Sequence, residues 1–281
     1  MSGTGAAARN PQVDVFSWNP RRRVFDGRFG RRLPIERPVN NFGDLLGPLV
    51  VDAMLARSGL ERAPARRAAQ LLSVGSVLHF AAEGAVVWGS GLNGKMLDHP
   101  LPSALDIRAV RGPRTRELLV AQGHDVPEVF GDPGLLVPMA RPALRSVART
   151  TSHLIVNNFH DRVPLRRRRN AISPRAPLDE CLDAIASAAF VVGSSLHGIV
   201  VAEALGIPAR AVRSATEPSF KYDDYYSGTG RPDWRAAASI DEALRLGGER
   251  PPEWSPEPLM NAFPADLWSG ERADAPSRTS R

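Results

Sequence analysis

The sequence predicts an α/β protein whose strands pair in parallel, arranged as two successive halves. Three observations carry that expectation. Short apolar runs of strand length end in glycine-bearing or polar turns, and segments of helical apolar spacing follow them. The same strand–turn–helix unit recurs along most of the 281 residues, as crossover-connected parallel strands require. The rhythm pauses over Arg141 to Thr151 and restarts at His153, so that stretch reads as a linker.

In order, Val13 to Trp18 is the first expected strand, and Arg21 to Arg37 is an Arg-, Gly- and Pro-bearing loop without an assignable pattern. Leu45, Leu46, Leu49, Val50, Ala53 and Met54 have helical spacing, with Asn41 or Asp44 as N-cap and Pro48 tolerable in the first turn. Leu71 to Phe80 and Ala85 to Leu92 are strand-bearing segments. The second runs into the loop Gly89-Ser-Gly-Leu-Asn-Gly-Lys95, where a glycine such as Gly91 lets the backbone approach a ligand closely. Asp106 to Arg111 is a strand, Gly112-Pro113 opens a helix over Arg114 to Gln122, and Gly123 closes it. Val129 to Leu136 adds a strand and a tight turn.

In the second half, His153 to Asp161 is a strand, and Leu178, Cys181, Leu182, Ile185 and Ala189 mark an amphipathic helix. Phe190-Val-Val-Gly193 is a buried strand, and Ile199, Val200, Ala202 and Leu205 give the apolar side of the helix behind it. Ala209 to Arg213 is a short strand, Lys221 to Tyr226 an aromatic and charged loop, Ile240 to Leu246 a helix, and Leu259 to Trp268 a short apolar piece. The expected division is 11–148, 149–268 and a disordered tail over 269–281.

Composition narrows the function. Hydrophobic residues make up 43% and charged residues 23%, ordinary values for a globular protein. The one cysteine, Cys181, rules out an internal disulfide. No apolar run is long enough for a spanning helix, and Met1 to Asn10 lacks the apolar stretch of a secretory signal. A cytoplasmic protein is expected, with the inner face of the membrane as a further location.

The net charge of +6 favours anionic partners. Nucleic acid is not expected, since the basic residues lack interleaved aromatics and no zinc-finger or helix-turn-helix signature is present. Arg166 to Arg169 reads as a solvated loop. Among 36 basic residues only Lys95 and Lys221 are lysines, so each is a candidate for a task that needs a compact ammonium rather than a planar fork.

The histidines are scattered, so no metal site is expected, and no P-loop or dinucleotide fingerprint follows a strand. Ser194 and Ser195 do not sit in a nucleophile elbow, which argues against a hydrolase. His197 falls in the first turn of a helix just past a buried strand, where open parallel sheets bind ligands and free backbone N–H groups favour anions. An ordinary strand–helix turn with a partly buried histidine fits that spacing as well. Asp44, Arg111, His160, His197 and Lys221 together form a polar, mostly basic set at strand ends, suited to a small, multiply anionic ligand between two α/β halves.

Four motifs carry a resemblance. Asn41-Phe-Gly-Asp44, Val110-Arg-Gly-Pro113 followed by Thr115, Gly131-Asp-Pro-Gly-Leu-Leu136, and Ser194-Ser-Leu-His-Gly198 with Gly206-Ile-Pro208 occur in this order. Together they resemble the polysaccharide pyruvyl transferase family, from about Val13 to the Tyr225 region and more loosely to Trp268. The resemblance implies two Rossmann-like α/β/α domains of the GT-B glycosyltransferase type with the active site in the interdomain cleft. It implies phosphoenolpyruvate as donor, a saccharide or lipid-linked saccharide as acceptor, and a pyruvate ketal and phosphate as products, without metal or nucleotide cofactor.

On that resemblance His197 and Asp44 are the catalytic candidates, and Arg111, Lys221, Ser194, Ser195, Asn41, Gly91 and His160 are substrate-binding candidates. The donor's charge calls for fixed cations and helix N-termini, and Arg111 and Lys221 match the family's basic positions. His197 would take hydroxyl protons, bind phosphate or protonate the methylene carbon; the sequence leaves these open. Asp44 is an alternative base or a sugar ligand. One departure stands out: several members have an arginine where this chain has Ser195, which leaves Arg114 and Arg213 as the nearest substitutes. Two rival readings are a nucleotide-sugar glycosyltransferase of the same architecture and a non-catalytic anion- or polysaccharide-binding protein.

Overall fold

The computed structural model describes residues 12–23, 35–62, 65, 67–161 and 169–269. Its strands are β1 (Val13–Val15), β2 (Arg21–Arg23), β3 (Glu36–Pro38), β4 (Ala69–Leu72), β5 (Val86–Trp88), β6 (Asp106–Ala109), β7 (Leu154–Val156), β8 (Ala171–Ile172), β9 (Val191–Gly193) and β10 (Ala209–Ala211). Its helices are α1 (Phe42–Arg57), α2 (Pro113–Ala121), α3 (Val137–Ala140), α4 (Leu178–Ala186), α5 (Leu196–Ala204), α6 (Phe220–Gly228), α7 (Ile240–Leu246) and α8 (Pro256–Asn261). Residues 1–11, most of the Arg-rich loop (24–34), 166–168 of the arginine run and the tail from 270 lie outside the described residues.

The expected α/β class with parallel sheets is what the chain forms. One sheet has the order β1-β4-β5-β6 and the other β10-β9-β7-β8, all pairs within them parallel. β2 and β3 form a separate antiparallel pair. β5, β7, β9 and β10 are buried at every residue, as parallel strands covered on both faces must be.

The core is continuous between the sheets. A single apolar cluster runs from Val15 and Trp88 of the first sheet through Leu46, Leu136 and Val200 to Val156 and Val191 of the second. The 3₁₀ turn Pro133–Leu136 packs against both α1 and α5. The last apolar piece returns to the first sheet: Trp88 Nε1 donates to Leu259 O at 2.8 Å, Phe263 meets Trp88 edge-on at 5.0 Å, and Arg108 pairs with Asp266 at 3.2 Å. The Leu259 to Trp268 piece is therefore tied to the first half.

Three local expectations change. Lys221 to Tyr226 lies in α6 rather than a loop, because Tyr222, Tyr225 and Tyr226 sit at i, i+3 and i+4 and bury one helical face. The segment Leu71 to Phe80 leaves the sheet after Leu72 and ends in a 3₁₀ turn at Leu78–Phe80. The expected strand in Val129 to Leu136 reduces to an isolated bridge between Phe130 and Val110, followed by the 3₁₀ turn. Of the two expected N-cap alternatives for α1, Asn41 holds the position, and Pro48 falls in the second turn.

Candidate functional site

A cavity of about 280 Å³ opens where loops from the carboxyl ends of both sheets meet. From the first sheet come Ser76 after β4 and Asn93 and Lys95 after β5, with Asn41 and Asp44 from the start of α1. From the second come Asn158, Phe159 and His160 after β7, Ser195 and His197 at the start of α5, and Glu217 and Lys221 around the start of α6. The N-termini of α1 and α5 thus share one cavity, which favours anionic ligands.

His197 is held by shape. A Cβ on Gly43 would fall on the imidazole ring, so the glycine of the Asn-Phe-Gly-Asp motif is what lets α1 approach α5 this closely. Nε2 of His197 lies 3.7 Å from Oδ2 of Asp132, and neither atom has a hydrogen-bond partner. Burial, then the charges of Lys221 and Arg111, lower the imidazole pKa to about 3, so the ring is neutral at pH 7.

Burial raises the pKa of two carboxyls in this region. Asp44 is buried and its pKa is raised to about 7, chiefly by burial, against an Asn41 Nδ2 donation at 2.8 Å and the Lys221 charge, which both lower it. Asp132 is fully buried and raised to about 6 by burial, although the Gly134 N–H donates to its other oxygen at 2.8 Å. That donation caps the Pro133–Leu136 turn and leaves Oδ2 facing the histidine.

The chain's two lysines converge. Lys221 Nζ pairs with Glu217 Oε2 at 3.1 Å, and Lys95 Nζ binds Oε1 of the same carboxylate. Burial alone would raise the Glu217 pKa, but the two ammonium groups hold it below the usual carboxylate value. Burial lowers the pKa of Lys221 despite Glu217.

Arg111, Gly91 and Ser194 stand back from the cavity. Arg111 is fully buried and spends its guanidinium on Asp224 at 3.0 Å, Ser76 Oγ at 2.6 Å and Leu92 O at 3.1 Å. Asp224 also accepts from the Thr115 N–H at 2.9 Å and its hydroxyl at 2.7 Å, so the pair ties α2 to α6. Gly91 makes room for this guanidinium, since a Cβ there would strike it. Arg111 therefore supports the wall and adds charge behind it, where the sequence suggested direct donor contact. Ser194 Oγ accepts from the Asn158 N–H at 3.0 Å and donates to Asp161. Ser195 accepts from the Gly198 N–H at 3.2 Å as the N-cap of α5. Arg114 and Arg213 are exposed and do not line the cavity, so neither takes the place of the family arginine there.

Sequence reasoning missed Asp132, Asn158, Phe159 and Glu217. Asp132 lies inside a motif already singled out, whereas Glu217 carries no local signal. Among the described residues no group of three or more His, Cys, Asp and Glu could hold a metal ion, and no helix is long and apolar enough to cross a membrane.

Fold and site define an α/β protein with a cavity at the carboxyl edges of two parallel sheets, lined by two lysines, a buried histidine and a carboxyl whose pKa burial raises to about 7. The chain belongs to the polysaccharide pyruvyl transferase family, which it matches over residues 7–215. It is similar to Succinoglycan biosynthesis protein ExoV of Rhizobium meliloti (strain 1021), at 30% identity over 173 residues, 55% of this chain and 52% of that protein. The chain thus spans about half the length of this curated relative. A crystal structure of the functionally uncharacterised protein KP1_0663 of Klebsiella pneumoniae subsp. pneumoniae NTUH-K2044 is similar at a TM-score of 0.48 and 11% identity, covering 82% of this chain and 94% of that one. A likeness at that level supports no functional argument.

Proposed function

We propose that the chain transfers the pyruvyl group of phosphoenolpyruvate to two hydroxyls of a saccharide, forming a cyclic pyruvate ketal and releasing phosphate. The observation that carries this reading is the convergence of Lys95, Lys221, neutral His197 and Asp44 on one cavity, in a chain of this family. Two parallel sheets with the cavity at their carboxyl edges also support reading the fold as the GT-B type, divided near residue 148.

The donor brings up to three negative charges. Lys221 and Lys95 would exchange Glu217 for its phosphate or carboxylate, with the N-termini of α1 and α5 adding N–H groups. Asp44, titrating at about 7, holds a proton in part of the population at neutral pH and delivers it to the methylene carbon. The C2 centre then takes one sugar oxygen, whose proton passes to His197. Phosphate leaves with the C–O electrons and accepts the His197 proton. The second hydroxyl adds to the oxocarbenium centre and its proton restores Asp44.

A histidine with a pKa of about 3 is a weak base, but its cationic neighbours help to hold it there. A trianionic donor offsets those cations and raises the proton affinity of the ring, and Asp132 faces the nitrogen that would share the charge. The test is phosphate release from phosphoenolpyruvate against a panel of hexose acceptors, with His197→Ala as control. Phosphoenolpyruvate should also stabilise the protein thermally, and uridine or guanosine diphosphate should not.

A further inference from the structure

Two ammonium groups that converge on one partly buried site repel each other unless an anion lies between them. Here that anion is Glu217: one carboxylate oxygen takes Lys221 Nζ at 3.1 Å and the other takes Lys95 Nζ. Among the described residues neither ammonium pairs with another carboxylate. The Glu217 side chain is only 6% exposed, so solvent screens these contacts weakly. An anionic substrate that needs both lysines therefore meets them already engaged.

The segment around Glu217 lets the side chain turn away while the backbone stays in place. Ala215, Thr216 and Pro218 are exposed, so this segment runs along the surface. Its backbone is fixed from within: the Glu217 N–H donates to Ser214 Oγ at 3.0 Å, and the Ser214 and Thr216 hydroxyls donate to Asp161 at 3.1 and 2.9 Å. Rotation of the Glu217 side chain alone then exchanges a protein carboxylate for a ligand oxyanion at the same two ammonium groups.

We infer that Glu217 is a built-in competitor of the anionic substrate: it holds Lys95 and Lys221 until the substrate's anionic group displaces it, and its return expels the anionic product. This role rests on the pyruvyl-transfer reading for the identity of substrate and product, whereas competition at the lysines is measurable without turnover. Apparent affinity is lowered by the fraction of molecules in which the lysines are free, and by the same factor for every anion that needs both.

Glu217→Gln removes the competing charge and keeps the size of the side chain. Calorimetric titrations near neutral pH, with inorganic phosphate and separately with phosphoenolpyruvate, should give Kd values about tenfold or more below wild type, the scale of charge-assisted hydrogen bonds that no longer have to be broken. The two ligands should gain by factors that agree within about threefold, because the displaced group is the same. During turnover the donor KM should fall and inhibition by added phosphate should strengthen. Damage to the fold weakens binding, so a gain in affinity separates competition from disruption. Unchanged or weaker phosphate binding by the variant overturns the role and leaves Glu217 as a support that holds the lysines for the substrate. Absence of phosphate binding by both proteins overturns it as well. A second measurement uses the wild type alone: in crystals soaked with phosphate, Glu217 should stand off both ammonium groups, and a Glu217 still bridging them beside bound phosphate overturns the competition. Tighter binding by the variant, without phosphate release from phosphoenolpyruvate with any acceptor, would keep the competitor and remove the pyruvyl reading.

Discussion

Nε2 of His197 and Oδ2 of Asp132 face each other across 3.7 Å, each buried and each without another partner. That gap is too long for a hydrogen bond, and closing it by less than an ångström would make one. The neutral ring gains little from the carboxylate; an imidazolium formed during turnover would gain much. In the proposed mechanism the pair would serve the protonated state of the histidine.

Asp132→Asn keeps the shape and removes the charge. It should lower kcat about 10- to 100-fold, part of what a positioned acid–base group contributes, with little change in donor KM. Because Asp132 titrates at about 6, wild-type kcat should decline as pH falls below that value, and the variant should be flatter there. Parallel pH profiles for both proteins would contradict the role.

Asp44 holds its proton more tightly folded, at about 7, than at the unfolded value of 3.8. The folded state therefore binds more protons between these values, and stability falls as pH rises through that window. At ~1.4 kcal/mol per pKa unit, Asp44→Asn should stabilise the protein by about 2–4 kcal/mol at pH 8 and hardly at all at pH 3, read by denaturant melts. The same variant should lose most transfer activity at every pH.

Lys221→Ala should raise the donor KM about 10- to 100-fold, the range for losing a charge-assisted hydrogen bond. Lys95→Ala should do less, because its side chain is 40% exposed where that of Lys221 is 13% exposed. Lys221→Arg should not restore the wild-type KM, since a planar fork does not fit the position of a compact ammonium against Glu217. Full rescue by arginine would remove the reason for keeping lysine here.

Arg111 is expected to act through stability. Removing one partner of its buried pair leaves Asp224 uncompensated, so Arg111→Ala should cost about 3–5 kcal/mol in denaturant melts. An Arg111→Ala protein of wild-type stability with a raised donor KM would return the residue to direct donor contact.

Much of this was legible in the residues. Parallel α/β order followed from strand–turn–helix repetition, and His197 from its place between Gly193 and the apolar spacing of α5. Lys95 and Lys221 stood out because the chain otherwise uses arginine, though their meeting on Glu217 joins residues 122 positions apart and leaves no sequence trace. The same limit hid the partner of Arg111: a basic residue at a strand end reads as ligand-facing until Asp224, 113 positions away, is placed against it. Gly43 was visible only as part of a motif; that it makes room for the His197 ring emerges when α1 and α5 are packed together. The α6 segment was readable and misread, since charged and aromatic residues masked a helical spacing.

The most direct test of the central claim is proton NMR of the product formed from phosphoenolpyruvate and an active hexose acceptor. The account predicts a new ketal methyl singlet on the saccharide, growing in step with phosphate and absent with His197→Ala. Phosphate released with free pyruvate and no ketal, or a ketal formed at the wild-type rate by His197→Ala, would contradict it.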